Sequence, residues 1–563
     1  MKAQVVDHVA LAPLYAAVAV AVVVLLADLL APPGRRDWLL GLAGLGVAAT
    51  GVVAWWAGSG GARATFCVPA EPVAPGGEPI VGCSLVADQS TAVLGAVFCL
   101  VTLAVLALSA PLVREAAVPA GEYTFLVLCS LFGGLALIGS RDLITLIVSL
   151  ETLSLPLYIL VGLRRTATGA SAALTYLLVS VVSTSVTLLG AALLFAVTGE
   201  VHLNRLAAAL TTVNLGTAAP LASAGVALVL VGLVFKVAAV PFHAWAGGVY
   251  DGAPLPVAAY LSTVSKLGGV VAIALVAAGG LMEGSAIWAT LLAALSALTM
   301  TVGNLLALRQ TRTVRLLAWS SVAQAGYIIA PLAGFAAIGT GGGNVTDVSG
   351  PLAATLAYAA FYVLVELAAF AAVIAVRGAG DGGRLEQLRG LASRRPWVAA
   401  GLVLALAGLA GLPPGLAGLF AKVVVIKSLV DSGVLWLALV VAANAVLGLA
   451  YYVRVAAMLY DRGAPPERAG ERPARAAGTP VLAGTPVPTR TTAVGAHPAE
   501  ELQPGGVLTE ERPAPAEPEA VAVRRSWPVL AVLAIASVGA VVLGFLPQYV
   551  LWAADGAARL LLP

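Results

Sequence analysis

Long apolar runs separated by short polar stretches make up most of this chain of 563 residues. A helix needs about 20 apolar residues to cross a bilayer. By that criterion the sequence predicts fourteen membrane-crossing segments, numbered in chain order: 10–31, 38–58, 91–113, 121–140, 142–163, 171–198, 222–247, 253–280, 286–307, 313–331, 351–376, 397–430, 433–460 and 527–553. The first has features of a signal peptide, but it is long and contains Asp28, so we interpret it as a retained helix.

The chain is therefore predicted to be an all-α polytopic membrane protein. Segments 4–8 and 9–13 form two sets of five, and an odd number of crossings gives the two sets opposite orientations in the membrane. This predicts two inverted five-helix repeats, in which segments 7 and 12 are broken helices. The predicted domains are three N-terminal helices (1–120), the first repeat (121–280), the second repeat (281–461), a disordered loop (462–525) and the last helix with the C-terminus (526–563).

Composition and charge agree with a chain that faces lipid. Hydrophobic residues make up 60% of the sequence and charged residues 10%, whereas soluble domains carry about 25% charged residues. Arginine is concentrated in the loops that follow odd-numbered segments. The positive-inside rule then predicts that these loops are cytoplasmic and that both termini lie on the outer side. A net charge of +3 over this length gives no basic footprint for nucleic acid.

Two of the loops have unusual composition. Residues 462–525 contain eleven of the 33 prolines and no aromatic residue, which predicts a disordered cytoplasmic loop. The outside loop 59–90 contains Cys67 and Cys83, in a compartment where disulfides persist. We predict a disulfide between them, and the alternative is two free thiols.

Ionisable residues lie inside apolar segments, where they are costly. Only five of the 31 Lys and Arg residues are Lys, and four of these five lie in or beside apolar segments. The ionisable residues within predicted crossings are Glu151 (segment 5), Lys236 (segment 7), Lys266 (segment 8), Glu366 (segment 11) and Lys422 (segment 12). Each such group costs about 2.5–3.5 kcal/mol at the bilayer centre, even on lenient scales. We interpret the set as functional; the alternative is that Glu151 and Lys236 form a static bridge between helices.

Lysine is suited to carrying a transferable proton, because its amine gains or loses a proton as its surroundings change, whereas Arg stays protonated. Prolines lie close to two of these lysines: Pro241 follows Lys236 by five residues, and Pro413 and Pro414 precede Lys422. Proline removes a backbone hydrogen bond, and broken helices at membrane depth are tolerated where they line a buried or hydrated cavity. The sequence thus predicts a proton-transfer site in each repeat.

Further polar residues lie near these lysines. His243 follows Lys236 by seven residues, which in a continuous helix places it on the same face about 10 Å nearer the cytoplasm. We favour a proton relay for His243; a hydrogen-bonded core histidine is the alternative. Gln324, Tyr327 and Glu366 are secondary candidates, with interhelical hydrogen bonding as the alternative.

Motifs for metals, nucleotides and redox groups are absent from the sequence. There is no CxxC, HExxH or P-loop, and the GxGxxA match at 44–49 lies within a predicted helix. We therefore predict no metal and no cofactor-binding residue in this chain.

Three runs resemble a known family. FKVAAVPFHAWAGGVYDGAPLPVAAYLSTVSKLGG (235–269), TVRLLAWSSVAQAGY (313–327) and GLPPGLAGLFAK (411–422) are similar to signatures of the antiporter-like proton-translocating membrane subunits of bacterial complex I, the NADH–quinone oxidoreductase. The sequence departs from the pattern at Gln324, where relatives often have His, and at Glu366, where Asn is common.

The resemblance implies roles for the intramembrane residues. Glu151 and Lys236 would form the coupling ion pair, Lys266 the central relay and Lys422 the exit on the outer side, with His243 between them. The chain would be part of a translocase in the bacterial cell membrane, driven by NADH:quinone electron transfer in other subunits, which would hold FMN, iron–sulfur clusters and quinone. Its partners would be other membrane subunits, through them the peripheral arm, and the lipid bilayer. A subunit of a multisubunit cation/proton antiporter and an inert membrane scaffold are the alternatives.

Overall fold

The structure is a computed structural model that describes residues 6–31, 36–73, 78–212, 218–279, 285–336, 349–461 and 526–561. Its α-helices are α1 (Ala12–Leu30), α2 (Trp38–Ser59), α3 (Gln89–Leu108), α4 (Ala110–Arg114), α5 (Ala120–Gly139), α6 (Leu143–Gly162), α7 (Ala167–Thr198), α8 (Leu203–Thr212), α9 (Ala219–Val234), α10 (Ala244–Gly252), α11 (Leu255–Tyr260), α12 (Lys266–Gly279), α13 (Ser285–Leu308), α14 (Thr313–Ile329), α15 (Ser349–Arg377), α16 (Leu391–Arg394), α17 (Pro396–Ala410), α18 (Leu416–Asp431), α19 (Leu435–Tyr460), α20 (Trp527–Phe545) and α21 (Pro547–Leu561).

Within the described part of the chain, thirteen helical spans are long and apolar enough to cross a bilayer. They coincide with thirteen of the predicted segments, and the remaining segment, 397–430, is divided between α17 and α18. The predicted helical, polytopic membrane fold is confirmed. The inverted repeat and the domain boundaries stay predictions, and the loop at 462–525 lies outside the described residues.

The two predicted helix breaks coincide with interruptions in the structure. α9 ends at Val234, and a 3-10 turn (Phe235–Val237) carries Lys236 just beyond that end. α17 ends at Ala410, and α18 begins only at Leu416, one and a half turns before Lys422. Both lysines therefore lie beside backbone groups that no longer belong to a continuous helix.

An interruption that the sequence did not reveal lies in the eighth segment. A π-helical turn (Leu261–Ser265) separates α11 from α12, and α12 begins at Lys266. A π turn leaves local backbone groups without their usual helical partners. Here the Tyr362 hydroxyl donates to the Ser262 carbonyl oxygen at 3.0 Å.

The predicted outside loop 59–90 contains short strands, which the sequence analysis did not anticipate. β1 (Arg63–Cys67) pairs antiparallel with β4 (Cys83–Ala87), and β2 (Glu71–Pro72) pairs with β3 (Pro79–Ile80). Cys67 and Cys83 face each other across the first pair and are joined by a disulfide. The period-two signal is too short in each strand to have been recognised.

Arginines on the predicted outer side hold this loop against the helices. Arg205 forms an ion pair with Glu200 at 2.6 Å and donates to the Ile80 carbonyl oxygen at 3.0 Å. Arg141 contacts Asp88, which caps α3, at 3.2 Å. Arg141 and Arg205 follow even-numbered segments and are therefore exceptions to the arginine bias, and these ion pairs give a structural reason for their position.

Two predicted segments end earlier than expected. Segment 14 was predicted to reach residue 553, but α20 ends at Phe545 and α21 is a separate helix that begins at Pro547. Segment 3 likewise ends at Leu108, and the short α4 carries Pro111 in its first turn. Proline cannot extend a preceding helix because it lacks the donor and clashes with the previous turn.

Candidate functional site

The Lys236 ammonium contacts three side chains. Its Nζ is 2.7 Å from Oε1 of Glu151. The hydroxyl oxygens of Ser154 and Ser180 lie 3.0 and 2.9 Å away. These contacts account for all three donors of an ammonium. The side chain of Lys236 is 4% exposed and that of Glu151 23%, so the ion pair lies mostly inside the protein.

The Glu151 carboxylate accepts two further hydrogen bonds. Thr184 donates to Oε1, and the Tyr158 hydroxyl donates to Oε2 at 3.3 Å. Tyr158 also contacts Ser180, so hydroxyl groups from α6 and α7 connect both members of the pair. Such donors stabilise the ionised carboxylate. Sequence reasoning missed Ser154 and Tyr158, although their spacing of three and seven residues from Glu151 places them on one helix face.

Lys266 is fully enclosed at the junction between the π turn and α12. Its ammonium donates to the hydroxyl and to the carbonyl oxygen of Ser321 in α14. It also lies 5.3 Å from the centre of the Tyr362 ring, and the Tyr362 hydroxyl is 2.7 Å from the Ser321 hydroxyl. Ser321 was not among the predicted residues, because the sequence does not show which of the adjacent Ser320 and Ser321 faces Lys266.

Lys422 in α18 reaches back to the end of α17. Its Nζ donates to the carbonyl oxygens of Leu409 (3.1 Å) and Ala410 (2.5 Å), the last residues of that helix. The C-terminal end of a helix favours a cation, since its carbonyl groups carry partial negative charge. The ring centre of Tyr327, a secondary candidate, lies 5.2 Å from the Lys422 ammonium, and the Tyr327 hydroxyl accepts a hydrogen bond from Asn304 at 3.3 Å.

Gln324, another secondary candidate, is the centre of a buried set of side chains that we call the Gln324 network, formed by Ser320, Gln324, Tyr358 and Tyr452. Tyr358 donates to Oε1 of Gln324 at 2.6 Å, and Nε2 of Gln324 donates to the Tyr452 hydroxyl at 3.1 Å. The Tyr452 hydroxyl is 2.5 Å from that of Ser320. Gln324 also donates to the Leu409 carbonyl oxygen at 3.0 Å, which Lys422 contacts too.

Glu366 in α15 is completely buried. Neither of its carboxylate oxygens has a hydrogen-bond partner among the described residues. Its electrostatic partner is Lys266. Glu366 therefore belongs to the surroundings of Lys266, which the sequence did not predict.

His243 is not on a continuous helix with Lys236, so the prediction that both share a helix face was wrong. The chain leaves helical geometry at Ala238, which has a φ of 60°, and α10 begins only after His243. Nδ1 of His243 is 3.2 Å from the Pro241 carbonyl oxygen, and its ring packs edge-on against Trp319. A role in proton transfer stays a prediction for this residue.

Ion pairs join three loops on the predicted cytoplasmic side. Arg312, before α14, is 2.7 Å from Asp251 in α10 and 3.1 Å from Asp381 after α15. Arg315 is a second partner of Asp251 at 3.1 Å. The sequence assigned these arginines to topology alone, since the pairing depends on how the three loops meet.

The described residues include no group of three or more His, Cys, Asp or Glu side chains arranged to hold a metal ion. The side chains around the buried lysines are hydroxyls, amides, aromatic rings and two carboxylates. What this arrangement offers chemically is reversible protonation of amines and carboxylates in enclosed surroundings.

Comparison with known proteins identifies relatives over almost the whole chain. Residues 140–448 match the family described as NADH:quinone oxidoreductase/Mrp antiporter, TM. The NADH-quinone oxidoreductase subunit N of Salinispora tropica is 53% identical over 559 residues, which covers 99% of each chain. The NADH-quinone oxidoreductase subunit N 2 of Streptomyces griseus is 44% identical and covers 85% of this chain and 87% of its own.

Solved structures show the same fold. A chain of respiratory complex I from Thermus thermophilus with bound aureothin aligns with a TM-score of 0.66 at 27% identity, over 96% of this chain and 98% of its own. A chain of the Mrp complex from a Dietzia species aligns with a TM-score of 0.69 at 25% identity, over 98% and 97%. The chain belongs to the family of membrane subunits shared by NADH:quinone oxidoreductases and Mrp antiporters.

Proposed function

We propose that this chain is subunit N of a bacterial NADH–quinone oxidoreductase and that it moves protons across the membrane. The observation that carries the proposal is the ion pair of Lys236 and Glu151, which lies within membrane-crossing segments at a helix break and is connected to surrounding hydroxyl groups. Buried pairs of this kind contribute little to stability, because desolvation offsets their attraction. The identity to relatives named as subunit N supports the assignment to that subunit.

The ion pair acts as the switch in this proposal. While Glu151 is in contact with Lys236, its carboxylate stabilises the Lys236 ammonium. When Glu151 withdraws, the enclosed ammonium loses its counter-charge, and its proton passes to a neighbouring acceptor. Arginine could not perform this step, since it does not release its proton.

Lys266 and Lys422 receive the proton in turn. Lys266 contacts Ser321, whose neighbour in the chain, Ser320, belongs to the Gln324 network. That network ends at the Leu409 carbonyl oxygen, which accepts from Lys422. Polar side chains of α14, α15 and α19 therefore link the surroundings of the two lysines, and water between these side chains completes the route.

Electron transfer belongs to other subunits in this proposal. FMN, iron–sulfur clusters and quinone are bound there, and the chain contacts neighbouring membrane subunits, through them the peripheral arm, and lipid. The arginine distribution supports cytoplasmic loops after odd-numbered segments and both termini on the outer side of the bacterial plasma membrane.

The second candidate is a subunit of a cation/proton antiporter, which the fold match to the Mrp complex favours. Purification of the tagged chain from its own membranes distinguishes the two. We expect NADH-oxidising and quinone-reducing subunits to co-purify, and the reconstituted assembly to pump protons when NADH and quinone are supplied. Sodium–proton exchange by an assembly that lacks those subunits would reject the proposal in favour of the antiporter.

Replacement of Lys422 by Ala tests the exit of the route. We expect coupled NADH oxidation to fall by about threefold or more, since removal of a proton-transfer group slows its step. Lys427→Ala is the matched control on the same helix, because the Lys427 side chain is 72% exposed and pairs with Asp431. An exposed pair contributes little, so activity and assembly of this variant should equal the wild type. Equal effects of both substitutions would contradict the assignment of Lys422.

A further inference from the structure

The Glu366 carboxylate lies in surroundings that provide no hydrogen bonds to it among the described residues. It lies in the middle of α15 with no exposed surface, and in the described structure neither oxygen accepts a hydrogen bond. A buried ionised carboxylate without hydrogen bonds or a counter-charge is too costly to persist. Glu366 must therefore carry a proton itself or be balanced by a neighbouring cation.

The groups that face Glu366 include one amine. Lys266 is its electrostatic partner. The tyrosines Tyr250, Tyr362 and Tyr452 also interact with it electrostatically. Tyr362 lies one helical turn before Glu366. The Lys266 ammonium is 5.3 Å from the centre of the Tyr362 ring. α10, α12, α15 and α19 thus enclose an acid and an amine together.

Lys266 has donor capacity to spare in this enclosure. An ammonium has three donors, and the hydrogen bonds of Lys266 in the described structure both go to Ser321. The contrast with the Lys236 site is clear: Lys236 uses all its donors, and the Glu151 carboxylate accepts from Thr184 and Tyr158 as well. The Glu151 site favours the charged pair, whereas nothing comparable fixes the charge state of Glu366 and Lys266.

We propose that Glu366 is a further proton-carrying residue, which exchanges one proton with Lys266. In the forward step an N–H bond of the Lys266 ammonium breaks and an O–H bond forms on Glu366, which converts an ammonium and a carboxylate into a neutral amine and a neutral acid. The reverse step restores the ion pair. Neither of these two states carries net charge. The neutral amine then accepts the next proton from the Lys236 side as Glu366 passes its own proton on towards Lys422, which restores the ion pair without a net change of charge.

This inference rests on the proposed function, and its test is therefore made in the complete purified complex, reconstituted in liposomes. The variants are Glu366→Gln, which keeps shape but cannot carry a proton, and Glu366→Asp, which can. Infrared difference spectra of the NADH-reduced against the resting complex report the C=O stretch of a protonated carboxylic acid. Pumping is measured as vesicle acidification per NADH oxidised.

We expect Glu366→Gln to lose one carboxylic-acid band and to slow coupled pumping by about tenfold. Glu366→Asp should retain the band at a shifted frequency and regain most of the pumping. Thr355→Val is the matched control, because Thr355 is also buried in α15 and its hydroxyl has no hydrogen-bond partner within the part of the chain that the structure describes. Its band and pumping should equal the wild type.

Several results would overturn the inference. One is a carboxylic-acid band that persists unchanged in Glu366→Gln. Another is a carboxylic-acid band that does not shift in Glu366→Asp. The Asp variant also provides a test if the Gln variant fails to assemble. A third is normal pumping in Glu366→Gln while Lys236→Ala is impaired, which would leave the proposed function intact. Normal pumping in both Glu366→Gln and Lys236→Ala would instead reject the proposed function itself.

Discussion

Coupled NADH oxidation is expected to fall about tenfold when Lys236 is replaced by Ala or Glu151 by Gln, while the complex still assembles. A proton-transfer group contributes roughly 10²-fold or more to its own step, and we expect a smaller loss in the turnover of the whole complex because proton transfer is one step among several. Glu151→Gln keeps acceptor and donor atoms for Thr184 and Tyr158. In Lys236→Ala the Glu151 carboxylate retains those two donors, so the site remains partly satisfied.

The measurements are the abundance of the chain in the purified complex, the rate of NADH oxidation with quinone, and vesicle acidification. Lys427→Ala is the control here as well. The static-bridge alternative makes a different prediction: loss of either partner would lower the thermal stability of the complex and leave the ratio of protons to NADH unchanged. Wild-type rates and pumping in both variants would end the ion-pair hypothesis.

The second large effect is expected at Gly418, where α17 and α18 touch. A Cβ at this position would lie 1.6 Å from the Gly408 carbonyl oxygen, which is a backbone atom and cannot rotate away. Overpacking of a tight interior typically costs about 1–3 kcal/mol and occasionally more. We expect Gly418→Ala to exceed that range and to move Lys422 away from the Leu409 and Ala410 carbonyl groups.

The experiment compares the melting temperature and the coupled activity of Gly418→Ala with those of Gly350→Ala. Gly350 is a suitable control because, among the described residues, no heavy atom outside its chain neighbours and its own helix backbone lies within 4 Å of its added Cβ. It lies in the first turn of α15, where Ala is at least as favourable as Gly, by up to about 1 kcal/mol. A Gly418→Ala complex as stable and active as the control would contradict the close packing of the two half-helices.

Much of the fold was predictable because lipid restricts the possible structures. Backbone groups in hydrocarbon must be satisfied within helices, so apolar length alone located the crossings. Proline explains why the breaks beside Lys236 and Lys422 could be predicted as well. The contact between Lys236 and Glu151 follows from the same reasoning, since isolated charges in the membrane are costly and only one crossing segment separates the two helices in the chain order.

The remaining features depend on information that periodicity does not contain. The helix-face argument for His243 required a continuous helix, and the same break that was predicted beside Lys236 invalidates it. The π turn before Lys266 has the sequence LSTVS, which contains neither Pro nor Gly, so no helix-breaking residue indicated it. The proximity of Glu366 to Lys266 arises from the packing of α15 against the turn before α12, which a single sequence does not encode in any local pattern.

The π turn has a mechanical consequence for Lys266. A π turn contains one residue more than an α-helical turn, and successive residues of an α-helix point about 100° apart. If the π turn shifts along the helix by one residue, the Lys266 amine therefore rotates about the helix axis. The membrane-crossing helix as a whole does not have to move. Lys266 lies where the π-helical hydrogen-bond pattern changes to the α-helical one. A rotation of its side chain about the helix axis therefore requires only a few backbone hydrogen bonds to change partners.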